Sequence, residues 1–337
     1  MPHWPAPLVG GARLSVWAPS SPAPRMFPDR FGRGVRALAA DGFAVRALPS
    51  CAAADGVTTL APRAIADELH GQLVDPECAG VVAAVGGWTM VTVLPHIDFG
   101  LVAEAAKPII GYSDLSLLLT VVSARSDLVT FHGPMVVSEW GEAGGPWEYT
   151  RDQFRLVTGG VWSEHTVVPA PVWSDEMLWW DKEDTRRRTP NTGGERARTV
   201  SPGDTVEGTL WGGSLGALSL LAGTPFWEVP AAAIVFLETE AIAPDEFAAR
   251  LQQLRLAGVF DHAAGVVLGK IGRPRACLSG FADYDEVVRD IVPPGLPVAA
   301  GYDIGHPEPM TTLPVGGLAR LTCPTGRAPD LTLLGPH

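Results

Sequence analysis

Cysteine is sparse in this chain. Cys51, Cys78, Cys277 and Cys323 are the four among 337 residues, and no two stand in a C-x-x-C spacing. That pattern speaks against both a zinc site and a disulfide framework and predicts ordinary reduced thiols, most of them buried. Long apolar runs are missing as well: no stretch reaches the roughly 18 residues that a membrane-spanning helix needs, so no membrane partner is expected. Positive charge is the third shortage. The formal net charge is −12, and the one strongly basic cluster, Arg186-Arg187-Arg188, is three residues long. A nucleic-acid polymer is therefore not the expected partner. The cluster itself reads as a solvated loop, or else as a contact for a small anionic substrate. Met1 to Pro24 hold no basic region followed by a sustained apolar core, so no secretory signal is expected and the cytoplasm is the expected compartment.

What is present is a soluble, two-domain pattern. At 46% hydrophobic residues the chain has the composition of a globular protein, and its length exceeds the roughly 250 to 300 residues at which single cores stop growing. The first part alternates strand-like and helix-like segments. "RLSVWAPSS" and "AVRALPS" read as strands around a helix, "RFGRGVRALAADGF", whereas "AGVVAAVGG" and "KPIIGYSD" are continuous apolar runs ending in glycine, as central parallel strands do. The expectation is an α/β fold: an N-terminal Rossmann-like, doubly wound parallel sheet domain over 1–160 and a smaller C-terminal α/β domain over 206–337. Between them, 161–205 is rich in proline and charge and is expected to be a linker and mobile loop. The second part offers "AAIVFLET", "AAGVVLGKIG" and "LPVAAGYDIGH" as buried strands, a helix from Pro244 to Ala257 stopped by Gly258, and "LARLTC" with "DLTLLG" as a closing hairpin.

Ser113 draws attention because it stands on the corner between a buried strand and a buried helix. A serine there is either a plain N-cap or a nucleophile whose hydroxyl is projected from the sheet toward unpaired helix N–H groups. Gly111 suits a nucleophile elbow, but Leu115 leaves the G-x-S-x-G pattern incomplete. A nucleophile needs a base and a group to orient it, and two strand exits supply them: Glu238 directly follows an apolar run and His306 follows "LPVAAGYDIG". Singly, Glu238 could cap a loop and His306 could be a solvated loop residue. The chain order Ser, Glu, His makes the set more telling than any member.

Several segments together carry a resemblance: "VVAAVGGWTMVTVLPHIDF", "PIIGYSDLSLLL", "TFHGPM", "WGGSLGALSLLAGTPF", "IVFLE", "LAGVFDHAAGVVLGK" and "YDIGHPEPMTTLPVG". In order and spacing, from about Arg13 to Leu334, the chain resembles the LD-carboxypeptidase family of serine peptidases. The resemblance implies a Ser113, Glu238, His306 triad, an oxyanion hole from backbone N–H groups at Asp114 and Gly86-Gly87, no metal and no cofactor, and a homodimer. Two family branches compete. One trims murein tetrapeptides; the other, the microcin C immunity branch, cleaves a peptidyl or aminoacyl nucleotide. The phrase "LAGVFDHAAGVVLGK" and the insert "MLWWDKEDTRRR" look more like the second, in which a loop tryptophan stacks on the base. Trp180 matches it best, with Trp179 beside it, although such a tryptophan could equally staple the loop to the domain body.

Three departures from the family pattern bear on the substrate: Ser214 stands where Asn is common, Trp88-Thr89-Met90-Val91-Thr92 follow the glycine pair, and His132 replaces a tyrosine. Trp88, Ser214 and His132 are accordingly expected to touch the substrate. An α/β-hydrolase esterase would show a full G-x-S-x-G and an H-G-G-G loop, and neither is present. A ligand-binding protein that kept the fold without catalysis is the remaining alternative.

Overall fold

A computed structural model of the chain describes residues 3–53, 58–191, 196–272 and 283–336. Its strands are β1 (Arg13–Trp17), β2 (Ala44–Ala47), β3 (Gly80–Ala83), β4 (Ile109–Gly111), β5 (Thr130–His132), β6 (Glu164–Thr166), β7 (Arg198–Ser201), β8 (Gly203–Ser214), β9 (Ala233–Glu238), β10 (Ala263–Gly269), β11 (Val298–Tyr302), β12 (Leu313–Val315), β13 (Leu318–Cys323) and β14 (Asp330–Leu334). Among the described residues they make two sheets, ordered β12-β5-β4-β3-β1-β2 and β6-β14-β13-β8-β9-β10-β11-β7.

In the first sheet β5, β4, β3, β1 and β2 run parallel. Every residue of β3 and β4 is buried, because helices cover both faces. That is why these strands read as unbroken apolar runs. The order reverses direction between β1 and β3, and in such sheets ligands settle beyond the carboxyl ends of the strands. The second sheet is parallel through β8, β9, β10 and β11 and antiparallel at its margins. The expected closing hairpin is the β13–β14 pair.

Helix Ser116–Ser126 packs against β4, β5 and β8 and so lies between the two sheets. Its run "SLLLTVV" is buried all round, which explains why it shows no amphipathic stripe. One continuous apolar core crosses this seam, joining Leu117, Val121 and Phe131 to Leu210, Phe236 and Leu321. A second core, with Trp211, Val235, Leu251 and Leu268, fills the far face of the second sheet under helix Pro244–Leu256. Burying side chains of this kind contributes about 1.5 to 3 kcal/mol each.

Several expectations need correction. The segment 161–205 contributes β6 and β7 to the second sheet, and β12, from the C-terminal part, completes the edge of the first by pairing with β5. The charged insert is also tied down. Ser174 bridges to Glu308, and Arg186 holds Glu176 at 2.6 Å. The arginine cluster is a solvated loop only in part, because Arg186 and Arg187 are exposed but Arg188 is drawn inward. Arg188 keeps 15% of its side-chain surface exposed and bonds Glu308 at 2.9 Å and Glu142 at 3.4 Å, both carboxylates being buried. Arg187 donates to the carbonyls of Gly144 and Gly145. The physical reason is that buried carboxylates require counter-charge, and the insert supplies it. Cys51, Cys78 and Cys323 are free and buried, with burial pushing the thiols of Cys51 and Cys323 up to about 12; Cys277 lies outside the described residues. No helix of the described residues is long and apolar enough to cross a membrane.

Removing Arg188 leaves the buried Glu308 without its cation and Glu142 with Arg30 alone. Arg188→Met is expected to cost about 3 to 5 kcal/mol in denaturant unfolding, against about 1 kcal/mol or less for the exposed Arg186→Met. Equal small losses would show that Glu142 and Glu308 do not depend on Arg188.

Candidate functional site

At the end of β4 the chain turns sharply. Tyr112 is still extended, Ser113 takes a left-handed conformation at φ 59°, and a single turn, Ser113–Leu115, leads into helix Ser116–Ser126. A non-glycine residue held there costs about 1 to 3 kcal/mol unless the surroundings over-determine it. An N-cap serine would sit in extended backbone with its oxygen on a helix amide. Ser113 has neither feature, since Tyr112 and Leu115 occupy the cap positions without side-chain capping bonds.

The neighbouring strand end meets this turn. A Cβ on Gly86 would fall 2.9 Å from both Cβ and Oγ of Ser113, and one on Gly87 would fall 2.3 Å from the carbonyl oxygen of Ser20. The Asp114 carboxylate clamps the two segments together, accepting N–H bonds from Thr89 at 3.0 Å and Met90 at 2.9 Å. Burial raises the pKa of Asp114 while these donors oppose it. The backbone N–H groups of Asp114 and Gly87 have no protein acceptor among the described residues. They are free to bind an oxyanion.

The second sheet supplies the other half. Glu238 ends β9 and is 2% exposed; its Oε2 lies 2.7 Å from Nδ1 of His306, just beyond β11. Gly305 makes room for this pair, because a Cβ there would lie 2.5 Å from that same carboxylate oxygen. Burial opposes an imidazolium, but the charge and hydrogen bond of Glu238 outweigh it and hold the pKa of His306 above its ordinary value. Nδ1–H donating to Glu238 leaves the lone pair of Nε2 to accept a proton. The ring packs edge-on to Tyr112, centroids 5.1 Å apart. Burial and the adjacent Glu139 push the phenol of Tyr112 up, so it stays protonated and donates to Glu139 at 2.7 Å.

Two pockets open from this junction, and His306 and Glu240 line both. The smaller, about 110 Å³, is bounded by Ser113, Asp114, Gly87, Trp88, Ser214 and Arg250. The larger, about 360 Å³, is lined by Tyr112, Glu139, Trp179, Trp180 and Arg30 among others. Ser113 and His306 thus share one pocket, with Gly87 and Asp114 in its wall. Trp88 is 60% exposed, and Ser214 donates its N–H to Ser116 Oγ at 2.9 Å. Trp180 is half-buried, edge-on to Phe27 at 5.5 Å and beneath the Arg30 guanidinium at 4.7 Å, so it does staple the loop while lining the pocket; Trp179 is exposed. His132 does not reach either pocket. It is fully buried, with Nε2 2.8 Å from the Ile304 carbonyl and its ring against Tyr112 and Phe236. Desolvation lowers its pKa, and it supports the site from one layer below.

Comparison with known proteins agrees with this architecture. Residues 14–133 match the LD-carboxypeptidase N-terminal domain and residues 207–321 the LD-carboxypeptidase C-terminal domain. The chain belongs to the LD-carboxypeptidase family. It is 27% identical to the microcin C7 self-immunity protein MccF of Escherichia coli over 313 residues, 92% of this chain and 90% of that one. It is also 27% identical to the probable murein peptide carboxypeptidase of Bacillus subtilis over 259 residues, 75% of this chain and 72% of that one. A solved structure of MccF in complex with glutamyl sulfamoyl guanosine superimposes with a TM-score of 0.89 at 25% identity, covering 98% of both chains.

No motif in the sequence singles out Tyr112, Glu139 or Arg250 as part of the site. Tyr112 adjoins the serine in "GYSD" and could have been noticed. Glu139 and Arg250 lie in segments without any motif, and the fold alone brings them in. The closeness of Gly86 to Ser113 gives a direct test: Gly86→Ala is expected to lower kcat by roughly 10- to 100-fold, as an ångström-scale displacement of a reacting atom does, with KM less affected. A kcat unchanged in Gly86→Ala would mean that the Ser113 turn tolerates displacement.

Proposed function

We propose that this member of the LD-carboxypeptidase family is a serine carboxypeptidase acting through Ser113, His306 and Glu238. The observation that carries the reading is a left-handed Ser113 sharing a pocket with a histidine whose far nitrogen is held 2.7 Å from a buried carboxylate. His306 Nε2 takes the proton from Ser113 Oγ as the oxygen attacks the substrate amide carbonyl, and the N–H groups of Asp114 and Gly87 stabilise the resulting oxyanion. The imidazolium then gives its proton to the leaving nitrogen, and water releases the acyl group by the same steps in reverse order. Glu238 fixes the tautomer through its bond to Nδ1. No cofactor enters the reaction.

The substrate is proposed to be a peptidyl or aminoacyl nucleotide of the microcin C type, cleaved in self-immunity or detoxification by a cytoplasmic homodimer. The larger pocket supports this, because Trp180 and Tyr112 give it aromatic walls on which a neutral base can stack. Murein tetrapeptide hydrolysis is the competing reading, and the same assay tests it.

The assay compares a murein tetrapeptide with a panel of aminoacyl-sulfamoyl adenosines, with products identified by mass spectrometry. Ser113→Ala is expected to lower turnover roughly 1,000-fold or more, with His306→Ala adding little in the double variant. A Ser113→Ala enzyme keeping a tenth of the rate sinks the triad. Trp180→Ala is expected to lower kcat/KM on nucleotide substrates by roughly 5- to 150-fold, with Trp180→Phe keeping part of it and the tetrapeptide indifferent. Equal losses on both would favour murein and a structural tryptophan.

The pH profile follows from the Glu238 contact. Only neutral His306 accepts the serine proton, so kcat/KM is expected to rise with pH, its midpoint above the ordinary histidine value. Glu238→Gln removes the charge that favours the imidazolium, and the limb should move to lower pH while the rate falls. A midpoint unmoved by this change would show that His306 does not control the profile.

A further inference from the structure

His132 is a buried imidazole that lines neither pocket and that the triad chemistry does not use. Its side chain nevertheless touches a close neighbour of each triad member. The ring stands edge-on to Tyr112, which precedes Ser113, with centroids 5.7 Å apart, and to Phe236, two residues before Glu238, at 5.1 Å. Its Nε2 lies 2.8 Å from the carbonyl oxygen of Ile304, two residues before His306. The backbone of His132 is itself fixed on both sides, paired with Gly111 on β4 and with Leu313 on β12.

The bond to Ile304 has one direction. A carbonyl oxygen only accepts, so Nε2 carries the hydrogen, and burial lowers the pKa of the ring and keeps it neutral. Nδ1 then bears a lone pair and has no partner among the described residues. The carbonyl depends on His132 in turn. Ile304 is fully buried, and no backbone N–H among the described residues donates to its oxygen. A buried carbonyl that loses its donor is costly and turns toward another.

Such a turn would fall where the chain has few other anchors. Beyond β11 the backbone runs without strand pairing until Glu308 bridges to Ser174. Asp303 is held by Lys270 at 2.6 Å and by the Ala170 N–H at 2.7 Å. The next fixed point is the Ile304 carbonyl, and after it the His306 ring on Glu238. Gly305 lies between them, so close to Glu238 that a Cβ there would be 2.5 Å from Oε2. A rotation of the Ile304 peptide is therefore passed straight to the Glu238–His306 pair.

We infer that His132 is a positioning residue for the base: its Nε2–H fixes the Ile304 carbonyl and, through Gly305, seats His306 on Glu238. The inference deepens the proposed hydrolase and takes from it the role of His306 as base. A histidine that only filled the core would be replaceable by a ring of the same size. The donor, not the ring, is what the seat of His306 requires.

Two variants separate ring from donor. His132→Phe keeps the ring and loses the N–H, whereas His132→Gln gives up the ring and keeps a side-chain N–H at a similar reach. His132→Phe is expected to lower kcat roughly 10- to 100-fold, as an ångström-scale displacement of a reacting group does, with KM close to that of the unmodified enzyme. His132→Gln should recover much of this loss, with both assayed below their melting temperatures. A second readout needs no turnover: the downfield proton resonance of the His306 Nδ1–H held by Glu238, assigned by its absence in His306→Ala, should persist in His132→Gln and be displaced or broadened in His132→Phe. A full kcat and an unmoved resonance in His132→Phe overturn the inference, as do equal losses in both variants with the resonance in place. In the unmodified enzyme, nitrogen NMR should find the His132 ring neutral and protonated at Nε2; protonation at Nδ1, or a charged ring, overturns the inference whether or not the variants fold. Full turnover in Ser113→Ala would sink the hydrolase reading instead, and the resonance would still report whether His132 seats His306.

Discussion

The site depends on one contact between the two sheets. Ser116, one turn after Ser113, accepts through Oγ the N–H of Ser214 at 2.9 Å, and the approach is so close that a Cβ on Gly213 would lie 2.3 Å from that oxygen. Gly213 also sits at φ 151°, a conformation that side-chain-bearing residues rarely adopt. Ser214 is paired in register with Glu238 on the adjacent strand. One hydrogen bond therefore ties the helix that follows Ser113 to the strand neighbour of Glu238, and the buried helix between the sheets keeps it in place. Ser113 and His306 come from separate sheets, and neither sheet alone could hold them in one pocket.

Electrostatics sets a second constraint. The chain is acidic overall, yet it buries Glu139, Glu142, Glu238 and Glu308 within or close beside the larger pocket. Unpaired, each would be costly. Glu142 and Glu308 are met by Arg30 and Arg188, and Glu139 is satisfied by Tyr112, Ser138 and the Met135 N–H. Glu238 is different, because the partner it finds in the structure is His306. The carboxylate with the least alternative support is the one placed to favour an imidazolium. Arg188 of the charged insert belongs to this scheme as a counter-ion, which leaves one free cation fewer to attract an anionic substrate into the larger pocket.

How much of this was legible in the sequence depended on distance along the chain. Ser113, Glu238 and His306 stand where apolar runs end, and parallel strands covered on both faces announce their ends clearly; the sheet then does the assembling. His132 could not be read the same way. It belongs to the three-residue strand β5 and is covered by β12, where Leu313 pairs with it across 181 residues of sequence. Nothing near "TFHGP" signals that cover, so a polar residue in a family motif looked like a substrate contact. Arg188 could not be read for a related reason: composition reports charge, but the carboxylates that Arg188 meets, Glu142 and Glu308, are 46 and 120 positions away. Strands β6 and β7 were hidden because short edge strands with polar faces carry almost no periodic signal.

The same reasoning locates where specificity resides. The serine turn, its glycine neighbour and the Glu238–His306 pair are mutually constrained, since a Cβ at Gly86, Gly213 or Gly305 would collide with one of them or with the seam. A change there disturbs several contacts at once. The walls of the small pocket, by contrast, come from separate segments: the Trp88 loop, the Ser214–Ala217 turn, the Thr239–Glu240 exit and Arg250 on its helix. Trp88 is largely exposed and Arg250 is anchored by its own helix through Glu246, so each can be exchanged at little cost to the others. Ser214 illustrates how far this freedom extends. Its backbone N–H holds the seam whatever its side chain, which leaves the side chain free to vary with the substrate. A fixed reaction centre with independently replaceable walls is what allows one fold to keep its chemistry while changing the bond it cuts.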